Sequence, residues 1–84
     1  MNIIAYTLPG CPSCSHLREL FRRAEVEYKE VTVKNDMTIS EFNSLHPNVS
    51  SFPFVVIDGE RVGGLVEVVR MFVKNGLVSS SKKA

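Results

Sequence analysis

Tyr6-Thr7-Leu8-Pro9-Gly10-Cys11-Pro12-Ser13-Cys14 is the stretch of this 84-residue chain from which the rest can be read. The short apolar run before it, residues 2–7, stops at Pro9-Gly10, a pair that forces a loop. The run reads as a buried first strand, β1. Cys11 then falls at an N-cap-like position. Pro12 takes the first helical position, where its missing N–H costs nothing. The spacing predicts a helix, α1, to about residue 26. Cys14, Leu17, Leu20, Phe21 and Ala24 recur at three- and four-residue intervals and make one apolar face. Glu19 and Arg23 form an i,i+4 pair on the other side. Cys11 and Cys14 are the only cysteines. One helical turn separates them, so they can close a disulfide with each other and reopen it.

Outward from this unit, residues 28–33 alternate imperfectly, with Tyr28, Val31 and Val33 among polar neighbours, and read as β2. Thr38-Ile39-Ser40-Glu41 is a capping box opening α2. Ile39, Phe42 and Leu45 are expected on its inner face, and Pro47 ends it. Residues 53–58 hold the strongly apolar β3, Asp58-Gly59 signals a hairpin, and residues 60–62 make a short β4. After Gly63-Gly64, the residues Leu65, Val68, Val69 and Phe72 recur at i, i+3, i+4, i+7. They predict α3, running to about residue 75 or 76, although its valines are poor helix formers. The order is β-α-β-α-β-β-α. The β1-α1-β2 unit should be a right-handed crossover with a parallel pair, and the tight β3–β4 turn requires an antiparallel one. A small mixed α/β sheet with helices on both faces follows. Residues 1–78 are expected to form one domain and residues 79–84 a flexible tail.

Composition narrows the function. The chain is 44% hydrophobic, enough for one core, and its formal net charge of +1 gives no case for nucleic acid or a charged membrane surface. No run approaches the ~18 apolar residues that span a bilayer. The first residues lack a basic region followed by a long apolar stretch, so they do not read as a secretory signal. A cytoplasmic location is expected, where a CxxC pair stays reduced or cycles.

Attack on a disulfide requires a thiolate. At the start of α1, free backbone N–H groups and the helix dipole favour that form at Cys11. Cys14, one turn in on the apolar face, is disfavoured by burial. Cys11 is therefore read as the attacking residue and Cys14 as the resolving one, with Pro12 stiffening the turn. Zinc would need two more ligands. His16 and His46 are the only histidines, and their spacing fits no finger pattern. A purely structural disulfide would close a very short loop and remove little unfolded-state entropy. No metal is expected.

The element order, CPxC at the end of β1, Phe52-Pro53 before β3 and Gly63-Gly64 after β4 together resemble the glutaredoxin family, over nearly the whole chain from Ile3 to about Leu77. The resemblance implies a thioredoxin-like fold with sheet order 2-1-3-4, a cis proline at Pro53 and a glutathione groove between these elements. A cis bond would expose the Phe52 backbone beside Cys11 for pairing with a bound thiol peptide. The alternative is an ordinary strand-initiating proline. The Gly64, Leu65 and Val66 N–H groups would bind the γ-glutamyl carboxylate, and Glu67 its ammonium. The alternative there is a plain turn with an acid suited to the helix dipole. Ser13 falls between the cysteines, where the family usually has Tyr. Leu8 stands where it often has Lys or Arg, and Leu65-Val66-Glu67 where it commonly has two aspartates. Two usual polar contacts to glutathione are thus absent or altered.

The implied activity is glutathione-dependent reduction of protein disulfides and glutathione mixed disulfides by a monomer, with a ribonucleotide reductase among the conceivable protein substrates. Two rivals stand beside it. One is a redoxin recharged by thioredoxin reductase. The other is an iron–sulfur carrier sharing a cluster between two chains through Cys11 and glutathione, against which Pro12 argues. Phe21, Phe42, Phe54 and Phe72 are expected in the core, and Tyr6 in packing beside the groove. Arg18 is expected on the solvent face of α1, and His16 and His46 are expected to be exposed and without a role, the lesser alternative being His46 near the substrate's glycyl carboxylate.

Overall fold

β1 (Ile3–Thr7) is an inner strand of a four-stranded sheet of order β2-β1-β3-β4. The computed structural model describes residues 2–49 and 51–78. The tail expected over residues 79–84 lies outside the described residues. The remaining elements are α1 (Pro12–Ala24), β2 (Lys29–Thr32), α2 (Ile39–Leu45), β3 (Phe54–Ile57), β4 (Glu60–Gly63) and α3 (Leu65–Lys74). β1 pairs parallel with β2 and antiparallel with β3, and β3 pairs antiparallel with β4. The fold is the expected thioredoxin-like one.

Strand periodicity sorts the core into two halves. Ile3 and Ala5 of β1, with Val55 and Ile57 of β3, pack against Leu17 and Phe21 of α1 and Val68 and Phe72 of α3. The intervening residues Tyr6, Phe54 and Val56 face the other way, onto Phe42 of α2 and Val33. Successive side chains leave a strand on opposite faces, so each strand feeds both layers. Thr7 extends the Ala5 side of β1 and is fully buried.

Several element ends depart from the expectation. α1 stops at Ala24, two residues early, because Glu25 adopts the left-handed conformation at φ 56°. The Glu25 N–H then donates to Arg22 and the Val26 N–H to Phe21, a Schellman closure. α2 has its capping box, with Thr38 Oγ1 accepting from the Glu41 N–H at 3.0 Å and Glu41 accepting from the Thr38 N–H at 2.8 Å. Its inner face is narrower than expected: Phe42 is buried, but Ile39 and Leu45 are 45% and 55% exposed. A helix of seven residues brings only its central turn onto the sheet. Val69 of α3 is likewise at the rim, while Val68 and Phe72 are buried. The β3–β4 turn has positive φ at both Asp58 (53°) and Gly59 (84°), as a two-residue hairpin of right-handed twist demands. Among the described residues, no helix is long and apolar enough to cross a membrane.

Candidate active site

Cys11 caps α1. Its backbone is extended (φ −93°, ψ 111°), and Pro12 occupies the first helical turn. That geometry turns the Cys11 sulfur back over the helix mouth, where Sγ accepts the Cys14 N–H at 3.2 Å. One of the helix's unpaired first-turn N–H groups is thereby spent on sulfur. Both cysteines are free thiols; Cys11 is half-buried and Cys14 fully buried. Burial pushes the Cys14 thiol up to about 11, and the hydrogen bond with Cys11 adds to this. A backbone hydrogen bond from Leu8 and the charge of Arg18 oppose it.

Across from Cys11 stands the Phe52 carbonyl, to which the thiol donates at 3.8 Å. The Phe52–Pro53 bond is cis. Pro53 is buried, and its carbonyl oxygen lies 3.4 Å from where a Cβ on Gly64 would sit. The motif loop, the start of β3 and the β4–α3 corner therefore meet around one groove. At that corner Gly63 has φ 126°, and a Cβ there would come within 3.0 Å of Glu67 Cγ, so glycine is required. Glu67 folds back over it, and its Oε1 accepts the Gly64 N–H at 3.0 Å. Of the three amides expected for a carboxylate, that of Gly64 is thus taken from within. Those of Leu65 and Val66 remain in the first turn of α3. Ser13 and Val66 are exposed.

A cavity of about 200 Å³ beside Cys11 is lined by Leu8, Gly10, Cys11, Pro12, Ser15 and Arg18. Arg18 is exposed, as expected of the solvent face, but it is not free. Its Nε and Nη2 donate to the Glu30 carboxylate at 3.0 and 2.7 Å. Glu30 also accepts the Thr7 hydroxyl at 2.8 Å. Arg18 first, then Thr7, holds the Glu30 carboxyl below its ordinary range against the opposing effect of burial. The sequence reading missed this network. The available signal was the four-residue spacing of Cys14 and Arg18, together with Glu30 on the strand that pairs with β1.

His46 also departs from expectation. It is half-buried, its ring 5.0 Å from Tyr6, 5.4 Å from Phe42 and 5.1 Å from Phe54, centroid to centroid. Its Nδ1 has no hydrogen-bond partner among the described residues. Burial first, and the Arg61 charge second, lower its pKa. Pro47 and the end of α2 fold it against the aromatic layer behind Phe52, whose ring is 4.9 Å from that of Phe42. A larger groove of about 440 Å³ runs between α1 and α3 and includes neither cysteine. Among the described residues no group of three or more His, Cys, Asp or Glu side chains is placed to hold a metal ion.

Comparison with known proteins agrees with this geometry. The family model described as Glutaredoxin matches residues 3–62. Glutaredoxin 1 of Rickettsia bellii is 35% identical over 66 residues, covering 74% of this chain and 67% of that protein. The crystal structure of the thioredoxin-like protein BC3987 is similar at 37% identity and a TM-score of 0.66, over 82% of this chain and 96% of that one. The buckwheat glutaredoxin–glutathione complex shares the fold, at 19% identity and a TM-score of 0.72, over 89% of this chain and 71% of that one. A family match that begins in the strand leading to Cys11 and runs into β4 makes this chain a member of the glutaredoxin family, a thiol–disulfide oxidoreductase.

Proposed function

We propose that the chain is a dithiol glutaredoxin that reduces protein disulfides and glutathione mixed disulfides through Cys11 and Cys14, and that glutathione returns it to the dithiol. The observation that carries this reading is the position of the Cys11 sulfur. It sits on the mouth of α1, 3.2 Å from the Cys14 N–H, and faces the Phe52 carbonyl at 3.8 Å. The first contact seats the attacking sulfur on the free amides of the helix mouth. The second puts a peptide acceptor where a thiol peptide can pair with it while its sulfur meets Cys11.

In the first step the Cys11 thiolate attacks the substrate disulfide, a mixed disulfide forms on Cys11, and the other sulfur leaves. Cys14 then displaces the bound sulfur, or a second thiol does. Glutathione would lie along Phe52 and Pro53 towards the first turn of α3. The Leu65 and Val66 amides would receive its γ-glutamyl carboxylate. Glu67, whose Oε1 already takes the Gly64 N–H, would offer its other oxygen to the ammonium. Ser13, at the rim of the motif loop, is the remaining candidate contact.

A second reading is a redoxin recharged by thioredoxin reductase. Leu8, an apolar side chain lining the cavity at Cys11, favours it, as does the 37% identity to a thioredoxin-like protein. An NADPH-coupled turnover assay separates the two. Rapid turnover with glutathione and glutathione reductase supports the glutaredoxin reading. Turnover with thioredoxin reductase alone, and none with glutathione, would replace it by the second.

A further inference from the structure

Resolution of the mixed disulfide places its demand on Cys14, which must act as a thiolate although it is fully buried and its thiol is pushed up to about 11. Arg18 follows it by four residues on α1, and residues at that spacing are neighbours on one helix face. The arginines of α1 are not equivalent. Among the described residues, Arg22 and Arg23 pair only with Glu19 of their own helix. Arg18 is tied across to the sheet, its Nε donating to both Glu30 oxygens of β2 at 3.0 and 3.1 Å and its Nη2 to one of them at 2.7 Å, while Glu30 accepts from the buried Thr7 hydroxyl of β1 at 2.8 Å. Three elements thus fix one guanidinium, and it lines the same cavity as Cys11. A solvent-facing arginine needs no such tether.

We propose that Arg18 is a positioning residue for the resolving step: Glu30 and Thr7 hold its guanidinium beside the Cys11–Cys14 turn, where its charge favours the Cys14 thiolate as that sulfur attacks the mixed disulfide on Cys11. This rests on the reading of Cys11 as attacker and Cys14 as resolver. In the step, Cys14 releases its proton to solvent and its sulfur bonds to that of Cys11. The bond from Cys11 to the substrate sulfur breaks, and the departing thiolate takes up a proton. The two cysteines lose two electrons to the substrate disulfide in the overall reaction. Once Cys11 is in the mixed disulfide its own charge no longer opposes the Cys14 thiolate. The other titratable or charged groups of this neighbourhood are Arg18 on α1, and Glu30 and Tyr28 across from it, both of which act on Arg18. Among the described residues, β1 contributes the uncharged Thr7 on this face, its Tyr6 lying in the other layer, and Glu67 of α3 is engaged at Gly64.

Dithiobis(nitrobenzoic acid) tests this directly. Attack by Cys11 releases one coloured thiolate in a fast phase, and displacement by Cys14 releases the second in a slow first-order phase. The pH midpoint of the slow phase reports the Cys14 thiolate. The Leu8 amide favours the Cys14 thiolate more than Arg18 does, and Glu30 neutralises part of the guanidinium, so Arg18→Met should raise the midpoint by about half a pH unit, below the ~1–3 of an unpaired charge in close contact. The thiolate fraction near neutral pH then falls about threefold. A more basic thiolate is a better nucleophile, so the slow phase slows by only about twofold and the midpoint is the readout. Arg18→Lys should keep the wild-type midpoint. The double variant Arg18→Met/Glu30→Gln leaves no unpaired carboxylate, serves if the single variant does not fold, and should also raise the midpoint. An unchanged midpoint in a folded Arg18→Met or double variant would overturn the proposal. So would an equal rise in Arg18→Lys, or a fast-phase midpoint that moves as far as the slow one. A wild-type protein that releases only one thiolate would instead refute Cys14 as the resolving residue.

Discussion

Cys11 and Cys14 are one turn apart and chemically unequal, because the chain sets Cys11 at the mouth of α1, its sulfur on the Cys14 N–H at 3.2 Å, and buries Cys14 beneath the helix. Since burial pushes the Cys14 thiol up to about 11, iodoacetamide at about pH 8 should modify Cys11 and spare Cys14. Cys11→Ser should abolish all exchange. Cys14→Ser should keep removal of glutathione from mixed disulfides, which needs one thiol, and lose most reduction of protein disulfides. Equal labelling of the two thiols would contradict the assignment. Leu8 and Val66 carry a second prediction. Leu8 lines the cavity beside Cys11, and Val66 is 56% exposed in the first turn of α3. A charge-assisted hydrogen bond contributes ~1.5–3 kcal/mol where water is excluded, and less in an open site. Leu8→Lys and Val66→Asp should each lower KM for a glutathione mixed disulfide, by about three- to tenfold on that basis. Steady-state kinetics with no change in either variant would mean that the groove is not lined by these positions or that glutathione is not the reductant.

Among the elements, α2 shows how a local signal controls a remote surface. Its capping box fixes where the helix starts, and hence where Phe42 lands, 5.1 Å from the Tyr6 ring and 4.9 Å from that of Phe52. Thr38→Ala should lower stability by about 1 kcal/mol, read as a shift in urea midpoint at unchanged slope. A shift within error would mean that α2 is held by Phe42 alone. The box was legible in the sequence because it is a matter of four adjacent residues. So were Cys11 as cap, Pro12 behind it and the Asp58-Gly59 turn. What was not legible depended on contacts between elements. Glu25 ends α1 in a left-handed conformation that its side chain does not announce. Ile39 and Leu45 have the right spacing for an inner face, but a helix this short cannot bring both onto the sheet. The approach of Phe52 to Cys11 spans 41 positions of sequence, and only the likeness to a family foretold it. The tether from Arg18 to Glu30 depends on how α1 lies over β2, which the spacing along either element leaves open.

At the scale of the whole molecule, one sheet serves two apolar layers, and each layer carries a titratable group at its edge. On the α1 side, Glu30 is held below its ordinary value of 4.5 by Arg18 and Thr7. On the α2 side, His46 is held below its ordinary value of 6.5 by burial among aromatic rings and by Arg61. The sign is the same for both. A group whose folded pKa is depressed takes its proton first in the unfolded chain, so stability is full above the unfolded value and drains as pH falls towards the folded one. His46 acts first, in a window that opens at 6.5. Glu30 follows in a window that opens at 4.5. Glu19, held down to about 2 by Arg22 and Arg23, is an exposed pair and adds little. Urea midpoints should therefore decline gently from about pH 7 to about pH 5 and more steeply below. His46→Phe should flatten the first decline while filling the same aromatic site. Arg18→Met should reduce the second, because an unpaired Glu30 no longer has a depressed pKa to lose. A wild-type midpoint that stays level down to about pH 5 would show that His46 protonates within the folded protein as easily as outside it, and that the aromatic layer behind Phe52 opens to admit the charge.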